Sequence, residues 1–140
     1  MKREICAAML LAVLFAGSLW NIRAIDRLTG RIGQYLDRSE QAIASGDTAS
    51  AEKELQTALD IWLKSDSYTH IFIRHPEIDG TADAFYEALQ ALMEGEGEKE
   101  ISAQYDKLRY HLESISRMEH LSFGSIMKII SPAGALKALP

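Results

Sequence analysis

Residues Ile5 to Trp20 read ICAAMLLAVLFAGSLW, and Asn21 and Ile22 follow before Arg23 ends the uncharged run. Eighteen residues without a charge span about 27 Å as α-helix, at about 1.5 Å per residue. That length just reaches across a hydrocarbon core of about 30 Å. Lys2 and Arg3 precede the run, and Trp20 lies near its end, where an indole suits the membrane boundary. Two readings compete. One is an uncleaved signal anchor over residues 1–22. The other is a signal peptide cut near Ser18, since Ala16 and Ser18 stand at small-x-small spacing. The anchor is favoured, because the run exceeds the usual signal core of about 7–15 residues and Leu19, Trp20 and Ile22 continue it past the cut.

Orientation rests on opposing charges. Lys2, Arg3 and the terminal amine flank one side, and Arg23, Arg27 and Arg31 the other. A short basic lead before an apolar segment acts as an export signal, so the expectation is a single-pass cell-membrane protein. Its N-terminus is cytoplasmic and its C-terminal domain extracytoplasmic.

Outward from the span, Ile25, Leu28, Ile32, Tyr35, Leu36, Ser39 and Ile43 recur at spacings of three and four, one face of a helix. No proline separates them from the apolar run, so the membrane helix is expected to continue as an amphipathic stalk. Gly30 and Gly33 weaken it locally. Ser45-Gly46-Asp47 turns the chain, with glycine suited to the C-cap and Asp47 or Thr48 to the next N-cap. Ala51, Leu55, Ala58, Leu59 and Trp62 mark a second helix. Pro76 fits a helix first turn, and Ile78, Ala82, Phe85, Leu89, Leu92 and Met93 mark a third. After Gly95-Glu96-Gly97, a fourth carries Ile101, Tyr105, Leu108, Leu112 and Ile115. A short apolar segment, Leu121 to Ile130, is expected to dock on the bundle, and residues 131–140 form a small-residue tail.

The expected fold is therefore all-α: an N-terminal transmembrane helix running into an antiparallel bundle of about four helices over residues 23–130, built as two helical hairpins. The hairpins align at an offset of 50, pairing Tyr35 with Phe85, Leu36 with Tyr86, Ile43 with Met93, Ala51 with Ile101 and Trp62 with Leu112. Duplication and simple agreement of helical phase both account for this.

Composition limits the function. The 140-residue chain has 15 basic and 20 acidic residues, a net charge of −5, which argues against general nucleic-acid binding. One cysteine forms neither an intramolecular disulfide nor a multi-cysteine metal site. There is no P-loop, no G-x-G-x-x-G after a strand and no H-E-x-x-H. The residues three before His70, His75, His111 and His120 are Ser67, Phe72, Leu108 and Arg117, so the Glu-x-x-His pair of di-iron bundles is missing as well. No cofactor, metal site or catalytic activity is expected.

Two residue sets stand out. Trp20, Arg23, Arg27 and Arg31 form a candidate membrane-interface set, since arginines stepping by four share a helix stripe and attract anionic headgroups at about 1 kcal/mol each. Trp62, His70, Arg74, His75, Glu77 and Asp79 form a candidate partner-binding set. A metal reading of the histidines is weakened by their five-residue separation and by Arg74, which repels cations. Glu77 and Asp79 near a helix start also suit the macrodipole. Residues 77–100 carry eight acids against Lys99, read as a solvated acidic face.

The MKREI start and apolar span, the S-G-D turn, Trp62, His75-Pro76-Glu77-Ile78-Asp79, and His111-Leu112-Glu113-Ser114-Ile115 leading to Leu121-Ser122-Phe123 together resemble a bacterial membrane-anchored family, domain-of-unknown-function family 4363. The resemblance covers about residues 1 to 127. This chain has Arg74 where that pattern carries an acid, and Ser125 where it carries a nearby asparagine. The resemblance implies an anchored helical accessory protein and nothing catalytic.

The expected role is that of a scaffold contacting the bilayer and a protein partner, such as a larger membrane protein. Helix-to-helix contact would supply the binding, and self-association through the Ile25–Ile43 stripe is the other use of that face. The alternatives are a ligand-binding or hydrolytic domain using the His70–Asp79 cluster, and a secreted helical protein after signal cleavage.

Overall fold

The computed structural model describes residues 2–65 and 75–130, without the side chains of residues 2, 75, 119, 122, 123 and 126–130. Within these residues the chain is all-α. Helix α1 spans Lys2–Ala44, α2 Thr48–Lys64, α3 His75–Met93 and α4 Glu98–Ile130. Each helix packs on two others: α1 on α2 and α4, and α3 on α2 and α4. The result is an antiparallel four-helix bundle whose neighbours in sequence are neighbours in space.

Helix α1 is continuous across Gly30 and Gly33, and its 43 residues run about 64 Å at about 1.5 Å each. Neither glycine has a neighbouring atom that a Cβ would meet. Their cost is therefore propensity, about 1 kcal/mol each, and packing of the amphipathic face outweighs it.

The core is the face read from the spacing. Ile25, Ile32, Leu36 and Ser39 of α1 are fully buried, as are Ala51, Leu55 and Ala58 of α2, and Leu59 and Trp62 are nearly so. Ile101, Tyr105, Leu108, Leu112 and Ile115 of α4 complete one wall. On α3 the core face is mostly small: Thr81, Ala84, Phe85, Ala88 and Ala91. Gly80 continues that face, where a Cβ would stand 3.1 Å from His111 Cε1, so α3 sits close against α4.

Both hairpins turn by the same device. Gly46 donates to the Ile43 carbonyl and Asp47 to that of Ala42; Gly95 donates to Leu92 and Glu96 to Ala91. These are Schellman motifs, and the glycines take φ of 78° and 68°, a backbone region that side chains with a Cβ disfavour.

The turns correct the expected repeat register. Past them, Ala51, Leu55, Ala58 and Trp62 match Ile101, Tyr105, Leu108 and Leu112 in burial at the expected offset of 50. Before them the buried residues align at 49, with Ile32, Leu36 and Ser39 matching Thr81, Phe85 and Ala88. The second turn holds one residue more. Tyr86 and Met93, expected opposite Leu36 and Ile43, are accordingly exposed at 54% and 71%.

A second correction concerns the end of the chain. Leu121 to Ile130 is the continuation of α4, a single 33-residue helix, and not a separate docked segment. The tail 131–140 lies outside the described residues.

Asp47 caps α2 by accepting from the Ser50 N–H at 3.0 Å. The Ser50 side chain and amide hold its carboxyl below the usual carboxylate range. A lowered folded-state pKa means that the contribution is present above the unfolded value and is lost as pH falls through the folded one. Asp47→Ala is expected to lower Tm near neutrality. The gap between variant and parent should close in acid below the carboxylate range, as thermal scans across pH would record.

Candidate functional site

The bundle end nearest the apolar segment gathers polar groups of α1 and α4. Arg23, Arg27 and Arg31 are all exposed on α1, and the Arg27 Nε–H donates to the Arg23 carbonyl at 3.1 Å. Trp20, Arg27 and Arg31, with Ala24 and Leu28, line a shallow cavity of about 290 Å³. The structure thus gathers the candidate interface residues along one stretch of α1, as a stripe with an aromatic at its base. N-terminal to it, Ile5, Met9, Leu10, Val13 and Leu14 are each at least 60% exposed. An 18-residue window of this helix reaches a mean hydropathy of 2.1, with only 11% of it buried. The helix is long and apolar enough to span a membrane.

One turn away from the stripe, Asp26 ties α1 to α4. Its Oδ1 accepts from Ser116 Oγ at 2.6 Å, and His120 Nε2 lies 3.1 Å from Oδ2. Serine, histidine and aspartate meet here, but not as a nucleophile–base relay. That chemistry needs serine bonded to histidine, whereas among the described residues both groups converge on the carboxylate. The cluster works as an interhelical clasp. Beside it, Gly30 and Gly33 leave a cleft of about 340 Å³ walled by Arg109, Leu112, Glu113 and Ser116 across the interface.

Two further polar links fix the register of α4 on α1. Ser39 Oγ donates to the Ala51 carbonyl at 2.7 Å and lies 2.5 Å from Tyr105 Oη, so one buried hydroxyl joins three helices. Burial raises the Tyr105 pKa, partly opposed by that hydrogen bond, and the phenol stays neutral. Arg109 Nη2 bridges Asp37 at 2.8 Å and Glu40 at 2.6 Å. Burial works against the guanidinium charge, but the two carboxylates outweigh it and its pKa moves up.

The candidate partner-binding set falls only in part on described residues. Trp62 is 2% exposed in the core, so its ring offers a partner no surface. Glu77 is half-buried in the first turn of α3, its carbonyl accepting from Thr81 Oγ1 at 2.7 Å, and Asp79 is exposed. His70, Arg74 and the side chain of His75 lie outside the described residues. Among the described residues no group of three or more His, Cys, Asp or Glu side chains is placed to hold a metal ion.

The sequence reading missed Ser116, His120 and Arg109. Their partners lie 90, 94 and about 70 positions away, and only the interhelical register brings them together. The i, i+4 spacing of Ser116 and His120 was the one local signal.

No curated protein and no solved structure matches the chain. A family model described as a domain of unknown function (DUF4363) matches residues 19–126. The match begins where α1 enters the bundle and ends within α4, so it covers the helices, the Schellman turns and the Asp26 clasp just described. With most of its length matched in this way, the chain belongs to the DUF4363 family.

Proposed function

We propose that this protein is a membrane-anchored helical scaffold that binds another protein, with residues 1–22 as an uncleaved anchor and the bundle on the extracytoplasmic side. The observation that carries the proposal is the continuity of α1. One helix runs from a largely exposed apolar segment into the core, so the bundle is held rigidly against whatever that segment enters. Cleavage near Ser18 would cut within this helix.

The partner surface is the outer face of α3. Tyr86 and Met93, seven residues apart and so on one stripe, are 54% and 71% exposed. An aromatic and a methionine side chain suit adaptable helix-to-helix contact, here with the part of a larger membrane protein that projects beyond the bilayer.

The test is crosslinking of the full-length protein in membranes, followed by mass spectrometry of what co-purifies. One recurrent membrane protein at comparable yield, lost in Met93→Glu while membrane retention is unchanged, is the expected result. Recovery of the bait alone, or of bait dimers, would overturn the scaffold reading. Peptides from before Ser18 in the same spectra distinguish the anchor from a cleaved signal.

A further inference from the structure

Helix α4 keeps a constant register along α1. Tyr105 meets Ser39, Arg109 meets Asp37 and His120 meets Asp26, so α4 advances one residue for each residue that α1 recedes. Carried on to its last residue, Ile130, α4 comes level with Phe15 and Ala16. That is seven residues inside the uncharged run, about 11 Å beyond Arg23 at about 1.5 Å per residue.

The burial of α1 agrees independently. Phe15, Ser18, Ile22, Ile25, Thr29, Ile32, Leu36 and Ser39 are all buried or half-buried, at alternating spacings of three and four, the repeat of a packed helix seam. On the opposite face of the same stretch Ala16, Trp20 and Arg23 are exposed. The seam therefore continues past the arginine stripe into the apolar run. Helix α2 ends at Lys64 and α3 starts at His75. By the registers of Ser39 on Ala51 and of Glu87 on Lys107, both stop near the level of Arg27. Among the described elements, α4 alone reaches further.

Resting on the anchor reading, we infer that the last ten residues of α4, Leu121–Ile130, enter the bilayer beside α1 as a second, partial membrane segment. The occupant of their outer surface is lipid. Their sequence, LSFGSIMKII, has one charge, Lys128. Leu121 is 70% exposed in the bundle, at the level of the headgroup-facing arginines. The family match, which stops at residue 126, includes the start of this segment. The protein is held in the membrane by a helix pair in one leaflet and a single helix in the other.

The test uses the full-length chain carrying Cys6→Ser, reconstituted in phosphatidylcholine–phosphatidylglycerol vesicles. Single cysteines are labelled with a fluorophore and quenched by nitroxide lipids. Gly124→Cys is chosen because a Cβ there meets nothing within 4 Å, and Ile129→Cys probes the deeper end. Leu10→Cys reports the anchor, Tyr110→Cys the solvated bundle, and circular dichroism checks that each chain stays helical. The expected result is quenching at 124 and 129 several-fold above that at 110. Shallow nitroxides should act best at 124 and mid-chain nitroxides at 129. Quenching at 10 with 124 and 129 no better than 110 would overturn this inference and leave the anchor standing. No quenching at 10 would overturn the anchor reading, and with it this one.

Discussion

Trp62→Ala is expected to lower the stability of the bundle by about 3–5 kcal/mol, the range for truncating a large buried aromatic side chain. Trp62 is 2% exposed and joins the core cluster with residues of all four helices. It lies in the last turn of α2, where the register places it level with Leu28, so the hole would open at the end of the core nearest the uncharged run. Alanine cannot fill that volume, and the small residues on α3 cannot expand into it. Trp62→Phe retains much of the volume and should cost clearly less. Urea or thermal unfolding of the full chain in detergent micelles, followed by circular dichroism, measures both. A loss below about 1 kcal/mol for the alanine variant would remove Trp62 from the core and return it to the candidate binding surface.

Leu14→Arg is expected to disrupt membrane retention without harming the bundle. Leu14 is central in the uncharged run and 61% exposed, just beyond the end of the packing seam. On an insertion scale the exchange costs about 3–4 kcal/mol at a helix centre, a shift of more than about a hundredfold in the distribution between membrane and water. Alkaline extraction of membranes followed by immunodetection reads this directly. Gln34→Arg, on an exposed position of the same helix within the bundle, should remain in the membrane fraction. If Leu14→Arg is retained as fully as the parent, the anchor reading fails.

The Asp26 clasp and the Arg109 bridge bear on function through geometry rather than chemistry. Both set how far α4 slides along α1, and that register decides which residues of α4 stand level with the uncharged run. The Ser39 hydroxyl plays the same part in the core. A single buried polar group that must find its two partners permits one alignment of the helices, where an all-apolar seam permits several.

Much of this was legible in the sequence. The spacings of three and four gave the core faces of α2 and α4 residue for residue and that of α1 with Leu28, Tyr35 and Ile43 half-buried at its margin, because a helix that buries one stripe must repeat its apolar residues with the helical period. Glycine before an acidic residue gave both turns, since the left-handed C-cap position selects glycine. The uncharged run gave a helix able to span a bilayer, because length and absence of charge suffice for that. The tertiary structure alone decided the rest. On α3 the expected Ile78, Phe85 and Leu92 are buried, but Thr81, Ala84, Ala88 and Ala91 fill the rest of the core face and carry little hydrophobic signal, while Met93, read as core, is exposed. The extra residue in the second turn shifted one hairpin against the other, which no periodicity within a helix records. Asp26, Ser116 and His120 are scattered across two helices. They meet because antiparallel packing fixes a register, and that register is a property of two surfaces together.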